Sequence, residues 1–194
     1  MPKPVVLDTF EEHQDDRWFR VEIMSMVDPL SVSSTPELHA APEFKAVWFS
    51  DLALSLQALT HTATERVVYT QDRVTQRLRE YFGERIDPVV DHWQTAHADL
   101  HWANLTAPDL VILDWEQWGQ APLGYDVATL YCHSLLVPDV ADRIYNEHRE
   151  VLDSPDGRRS TLLAVARMLS RTRQGDYTEM VGPLHRLADQ VLGR

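Results

Sequence analysis

Between His97 and Asn104 the chain keeps neither the helical nor the strand period, although it is crowded with chemistry-bearing side chains. The stretch reads His97-Ala98-Asp99-Leu100-His101-Trp102-Ala103-Asn104. Ala107-Pro108-Asp109 then makes a turn, and Leu110 to Leu113 is a short, wholly apolar run ending in Asp114. This order predicts a loop followed by a hairpin, with Leu105 opposite a buried strand. A polar loop fixed to a rigid hairpin is a common way of holding functional groups in place.

The rest of the chain must support that loop. Val5-Val6-Leu7 and Trp18 to Met26 read as two strands, with a polar turn from Glu11 to Arg17. A lone hairpin is marginal in water, so it is expected to pack on something. Leu30 to Pro42 is rich in Ser, Pro, Thr and Ala and reads as a linker. Phe44, Val47, Trp48, Leu52, Leu56 and Leu59 fall on one face of a helix. A second helix is predicted from Asp72 to Phe82, with Val74, Leu78, Tyr81 and Phe82 inward and Gly83 as its stop. Pro88 to Trp93 is read as a short helix. From Asp126 the pattern is helical to the end, broken at Pro138 and around residues 154–157. Val127, Leu130 and Tyr131 start one stripe; Met180, Leu184, Leu187 and Val191 make the last. The fold class expected is α+β, mostly helical.

Thirty acidic residues against eighteen Lys and Arg give a net charge of −12. Such a chain repels phosphate backbones, so nucleic acid is not an expected partner. There is no apolar run of the length needed to span a membrane, and no secretory leader pattern. The single cysteine, Cys132, excludes an internal disulfide. These features suit a cytoplasmic protein. The acidity suits a cationic small substrate, and it equally suits plain solubility.

The spacing of the loop carries the chemistry. His97, Asp99, Leu100 and Asn104 fit H-x-D-L-x-x-x-N, a phosphotransfer catalytic-loop pattern with its Arg replaced. Phosphoryl transfer needs a carboxylate to orient the attacking hydroxyl and take its proton. It also needs hard oxygen ligands for Mg²⁺ on the phosphates. Asp99 suits the first role, and Asn104 and Asp114 suit the second.

The segment from His97 to Leu130, with Asp114-Trp115-Glu116 and Tyr125-Asp126-Val127-Ala128, resembles the core of aminoglycoside phosphotransferases and their choline-kinase-like relatives. The resemblance implies a protein-kinase-like C-lobe and ATP-dependent transfer to a small-molecule hydroxyl, with ATP or another nucleoside triphosphate and Mg²⁺ as cofactors. It implies Asp99 as catalytic base, Asn104 and Asp114 as metal ligands, and His97 and Asp126 as supports of the loop, Asp126 also capping its helix. Upstream, Trp18 to Met26 resembles the last N-lobe strand and hinge, with Met24 and Met26 against adenine. The implied division is 1–29 as N-lobe remnant and hinge, and 30–194 as C-lobe. The latter carries the catalytic loop 97–104 and the metal strand 110–116.

The first glycine is Gly83, and the only lysines are Lys3 and Lys45. A kinase also uses a Gly-rich loop and a strand Lys on the phosphates. Neither is present, so the front of the N-lobe is expected to be truncated and phosphotransfer by this chain alone to be weak or nil. A fragment, a shortened product and a degenerate relative remain open. The remnant strands should present a free edge, which invites a homodimer. Two other readings stand beside the kinase. One is a non-catalytic kinase-like binding module. The other is a metal-dependent hydrolase using His97, Asp99 and His101, which would share one face of a strand.

Overall fold

A computed structural model describes residues 1–193 and shows a mixture of helices and three small two-stranded sheets. In chain order the strands are β1 (Val6–Gln14), β2 (Arg17–Met24), β3 (Leu30–Ser31), β4 (Trp93–Ala96), β5 (Thr106–Ala107) and β6 (Gly119–Pro122). The helices are α1 (Trp48–Thr60), α2 (Gln71–Phe82), α3 (Tyr125–His133), α4 (Pro138–Glu147), α5 (Arg149–Leu152), α6 (Pro155–Thr172) and α7 (Val181–Leu192). No helix of the described residues is long and apolar enough to cross a membrane.

β1 and β2 form an antiparallel hairpin in which Phe10 faces Val21 and Glu11 faces Arg20. The turn is only Asp15-Asp16, with Asp15 at φ 49°, so residues 11–14 belong to the strand and not to the turn expected there. Every residue of β1 is exposed, and only Val21 and Glu22 of β2 are half-buried. The expectation that the hairpin packs on something is therefore corrected: it projects from the body.

α2 follows its sequence signals. The Thr70 side chain accepts from the Arg73 amide, and Val74, Leu78 and Phe82 are buried one turn apart. Gly83 ends it at φ 59°, a conformation that costs a glycine little. α1 buries Trp48, Leu52, Leu56 and Leu59, but it starts at Trp48 and Val47 is exposed. Residues 88–92 form no helix; they lead into β4, which pairs antiparallel with β6. Both strands were missed because each is four residues long and shows no alternation. Residues 110–113 make only an isolated bridge, Leu105 to Ile112, in place of the strand expected. The hairpin partner that does form a strand is Thr106–Ala107, paired with Leu30–Ser31.

Two buried clusters meet at α3. One joins α2, α6 and α7 around Leu78, Leu162, Val165 and Leu184. The other joins α1, the loop residues Leu100 and Trp102, and α4. Tyr125 and Cys132 of α3 belong to the first and Val127, Ala128 and Leu130 to the second, so α3 is fixed from both sides. The helix breaks fall where the chain turns. Pro138 and Pro155 sit at helix starts, and the Ser154 hydroxyl accepts from the Gly157 amide. Gly157 lies inside α6, where a Cβ would come 1.8 Å from the Val151 carbonyl oxygen, so only glycine lets α5 pack so closely.

Candidate active site

The loop 97–104 leaves β4 and, from Ala98 onward, buries every second residue. Ala98, Leu100 and Trp102 are fully buried, which leaves Asp99 and His101 facing the other way. Trp102 is locked by its indole donating to Ser134 Oγ at 2.9 Å, and it stacks with Trp48 at 6.0 Å. This alternation is not a strand: Ala98 has φ 67° and Trp102–Asn104 is a single 3-10 turn.

Asp126, one residue into α3, holds the start of the loop. Its Oδ2 accepts from the His97 amide at 2.7 Å and its Oδ1 from the Ala98 amide at 2.8 Å. It does not cap its own helix, whose N-cap is Gly124; a carboxylate spent on another segment is unavailable to its own first turn. Burial pushes the Asp126 carboxyl up, and His97 and the two amide donors oppose that shift.

His97 is buried and satisfied at both ring nitrogens. Nε2 lies 2.7 Å from the Leu113 carbonyl and must donate to it, leaving Nδ1 to accept from the Asp99 amide at 3.3 Å. Trp115 packs edge-on at 4.7 Å. The Leu113 amide donates in turn to the Asn104 carbonyl at 2.8 Å. Leu113 is thus tied to both ends of the loop, and Asp114 follows directly on it at φ 58°.

Asp99 is held by charge. Arg167 of α6 reaches it with Nη2 2.7 Å from Oδ1, and His101 Nε2 lies 3.6 Å from Oδ2. Burial would raise the Asp99 pKa, but the His101 and Arg167 contacts outweigh it and hold the carboxyl well below the usual range. Arg167 Nη1 also donates to the Ala98 carbonyl at 2.9 Å. Tyr125 and Asp99 together hold the guanidinium firmly protonated. Sequence reasoning missed Arg167: it lies 68 residues from Asp99 and belongs to no local pattern.

The donor set suits a hard divalent cation. Asn104 Nδ2 donates to the Asp99 carbonyl at 3.0 Å, and its amide oxygen makes no hydrogen bond among the described residues. The Asp114 carboxylate is exposed and makes no ion pair among the described residues. Free carboxylate and amide oxygens are the ligands Mg²⁺ takes. Lys3 Nζ lies 5.6 Å from the centre of the Trp115 ring, which brings one lysine to the residue that follows Asp114 from the far end of the sequence. The N-terminal segment is anchored there by the Ile112 amide donating to the Pro2 carbonyl at 3.0 Å. Met24 and Met26 are not gathered into this site by any contact; both are exposed on or just after the projecting hairpin.

A polar cavity of about 400 Å³ shares no lining residue with the site. Glu37, His39, Arg171, Asp176, Tyr177 and Glu179 line it. A file of rings leads from it to Asp99: Tyr177 to His133 at 5.5 Å, then His133 to His101 at 5.6 Å. Asp139, Asp142, Glu147 and Glu150, acidic residues of the helical part, are exposed on α4 and α5 and line no part of it.

No family model matches the chain, and no curated protein matches it. A solved structure described as "Amicoumacin kinase hAmiN in complex with AMP-PNP, Ca2+ and Ami" is similar over 99% of this chain and 72% of its own, at 15% identity and a TM-score of 0.49.

Proposed function

We propose that the chain carries the catalytic loop of an ATP-dependent phosphotransferase acting on a small-molecule hydroxyl. One observation carries the reading. Asp99 is ionised in a braced loop, while Asn104 and Asp114, joined to that loop through Leu113, keep oxygen atoms free. Asp99 orients the acceptor hydroxyl and takes its proton as the oxygen attacks the terminal phosphorus and the bond to the leaving diphosphate breaks. Mg²⁺, when bound, would offset the negative charge of the phosphates. Asn104 and Asp114 are the residues that would hold it. The cavity beside Tyr177 is too far along the ring file to hold the reacting hydroxyl; it offers room for a remote part of the acceptor, with Glu37 and Glu179 near His39 and Asp176 paired with Arg171.

One feature reduces turnover. Arg167 already pairs with Asp99, which weakens it as a base. The same pairing also supports the other reading, a kinase-like binding module without turnover. The hydrolase reading finds less support: both His97 nitrogens are spent on the backbone, and the described residues contain no cluster of three His, Cys, Asp or Glu able to hold a metal.

The test is transfer from ATP to a panel of small amino alcohols and sugars with Mg²⁺. Slow transfer that disappears in Asp99→Asn is expected. Transfer unchanged in Asp99→Asn overturns the assignment of the base. Equal Mg²⁺ affinity in wild type and Asp114→Ala removes Asp114 from the site.

A further inference from the structure

We propose that the cavity between α2 and α6 binds a phosphate group, free or carried on a small molecule. The cavity measures about 350 Å³, in the size range of small-ligand sites. Arg73 and Arg77 of α2 and Arg167 of α6 line it, with Tyr69 at its edge.

Arg73 and Arg77 stand one helical turn apart on the same face of α2, an arrangement of like charges that opposes helix stability. Several arginines of this chain find carboxylates, as Arg143 does at Glu147 and Arg85 at Asp189, although Arg66, like Arg73 and Arg77, reaches only a backbone carbonyl or none. Arg73 reaches only the Val68 carbonyl, at 3.4 Å, and Arg77 is half-buried without an ion pair among the described residues. Glu80, the one carboxylate on the lining, is engaged by Arg173 at 3.9 Å.

The charges converge. Burial and Tyr125 push the Tyr69 phenol up, and Arg167 and Arg77, which line the same cavity, both act on it in the opposite sense. Tyr69 spends one hydrogen bond on Tyr125, at 2.7 Å, and keeps capacity for another. In a protein of net charge −12, Arg73 and Arg77, with Arg167 on the same wall sharing its charge with Asp99, make a local positive field against the overall one. Arginine forks pair with phosphate oxygens two at a time. The two forks of Arg73 and Arg77, neither in an ion pair among the described residues, match a tetrahedral oxyanion with three or four acceptor oxygens better than a two-oxygen carboxylate; both Nη groups of Arg167 are already spent. Arg167 borders both this cavity and Asp99, but the anion site stands on its own lining and does not depend on phosphotransfer at Asp99.

Calorimetric titration of the full chain tests this, with inorganic phosphate, glycerol phosphate and acetate at constant ionic strength in chloride. Saturable phosphate binding is expected, weakened about tenfold or more in Arg77→Gln and in Arg73→Gln. Both side chains lie on an accessible helix face, and circular dichroism checks that the variants fold. Tighter binding of the ester than of phosphate identifies an organic phosphate as occupant; equal binding identifies the free ion. Either supports the site. No saturable binding below about 10 mM, equal affinity in both variants, or acetate binding as tightly as phosphate overturns it.

Discussion

Arg167 Nη2 lies 2.7 Å from Asp99 Oδ1, so the carboxylate that the loop pattern marks as a base is already half of an ion pair. Both side chains are mostly buried, and the same guanidinium holds the Ala98 carbonyl beside them. Arg167→Met should let the Asp99 pKa rise toward about 4, the ordinary carboxylate value. Losing one partner of a buried pair costs about 3–5 kcal/mol. Partial solvation of this pair reduces the expected loss to about 1–3 kcal/mol. A pH titration of the Asp99 carboxyl by NMR and urea unfolding measure the two effects. An unchanged Asp99 pKa would show that Arg167 is not what holds it low.

Asp126 fixes the other side of the loop. Asp126→Asn replaces one accepting oxygen with an amide group that cannot accept from a backbone N–H. One of the His97 and Ala98 amides then loses its partner in a buried site. The expected cost is about 2–3 kcal/mol, with loss of whatever activity depends on Asp99. Unfolding in urea gives the first and ATP turnover the second. A neutral change in stability would mean that the loop is held mainly by His97 and Leu113.

His133 makes the protein acid-sensitive. Its Nδ1 donates to the Thr129 carbonyl at 2.8 Å, and its Nε2 is buried without a partner. Burial pushes its pKa down from 6.5 to about 3, so the unfolded chain binds its proton first. Stability is therefore full above about pH 6.5 and falls as pH drops from there toward about 3, by at most about 1.4 kcal/mol per pH unit. His148 is shifted in the same direction by burial and adds to the slope. Melting temperature across pH 4–7 should flatten more in His133→Gln than in His148→Gln. An equal slope in His133→Gln and wild type would exclude His133 as the cause.

The hairpin should contribute almost nothing to folding. Trp18 is 73% exposed, and β1 and β2 contact chiefly one another. Trp18→Ser should change unfolding free energy by less than about 0.5 kcal/mol. Trp102→Ala, at a fully buried tryptophan, should cost about 3–5 kcal/mol. A large loss from Trp18→Ser would mean that the hairpin supports the body after all.

The sequence by itself determined what local patterns encode. Val74, Leu78 and Phe82 specify the inner face of α2, and Gly83 its end, whereas its start at Gln71 after the Thr70 cap was read one residue late, at Asp72. The loss of period at 97–104 marked the loop, because residues held by outside contacts need not repeat. Residues 110–113 were legible as apolar but not as a bridge, since burial alone does not say how many ladder bonds form. β4 and β6 were invisible: two four-residue strands are defined by each other, across more than twenty intervening residues. The side chains around Asp99 divide the same way. Asp99, Asn104, Asp114 and Asp126 fall within 28 residues and could be read from spacing, whereas Arg167, Lys3 and the ring file from Tyr177 to His101 could not. Those contacts exist only because α6 packs on α3 and the N-terminal segment runs along residues 112–115. Local periodicity fixes which face of an element is buried; only packing decides which distant charge meets Asp99.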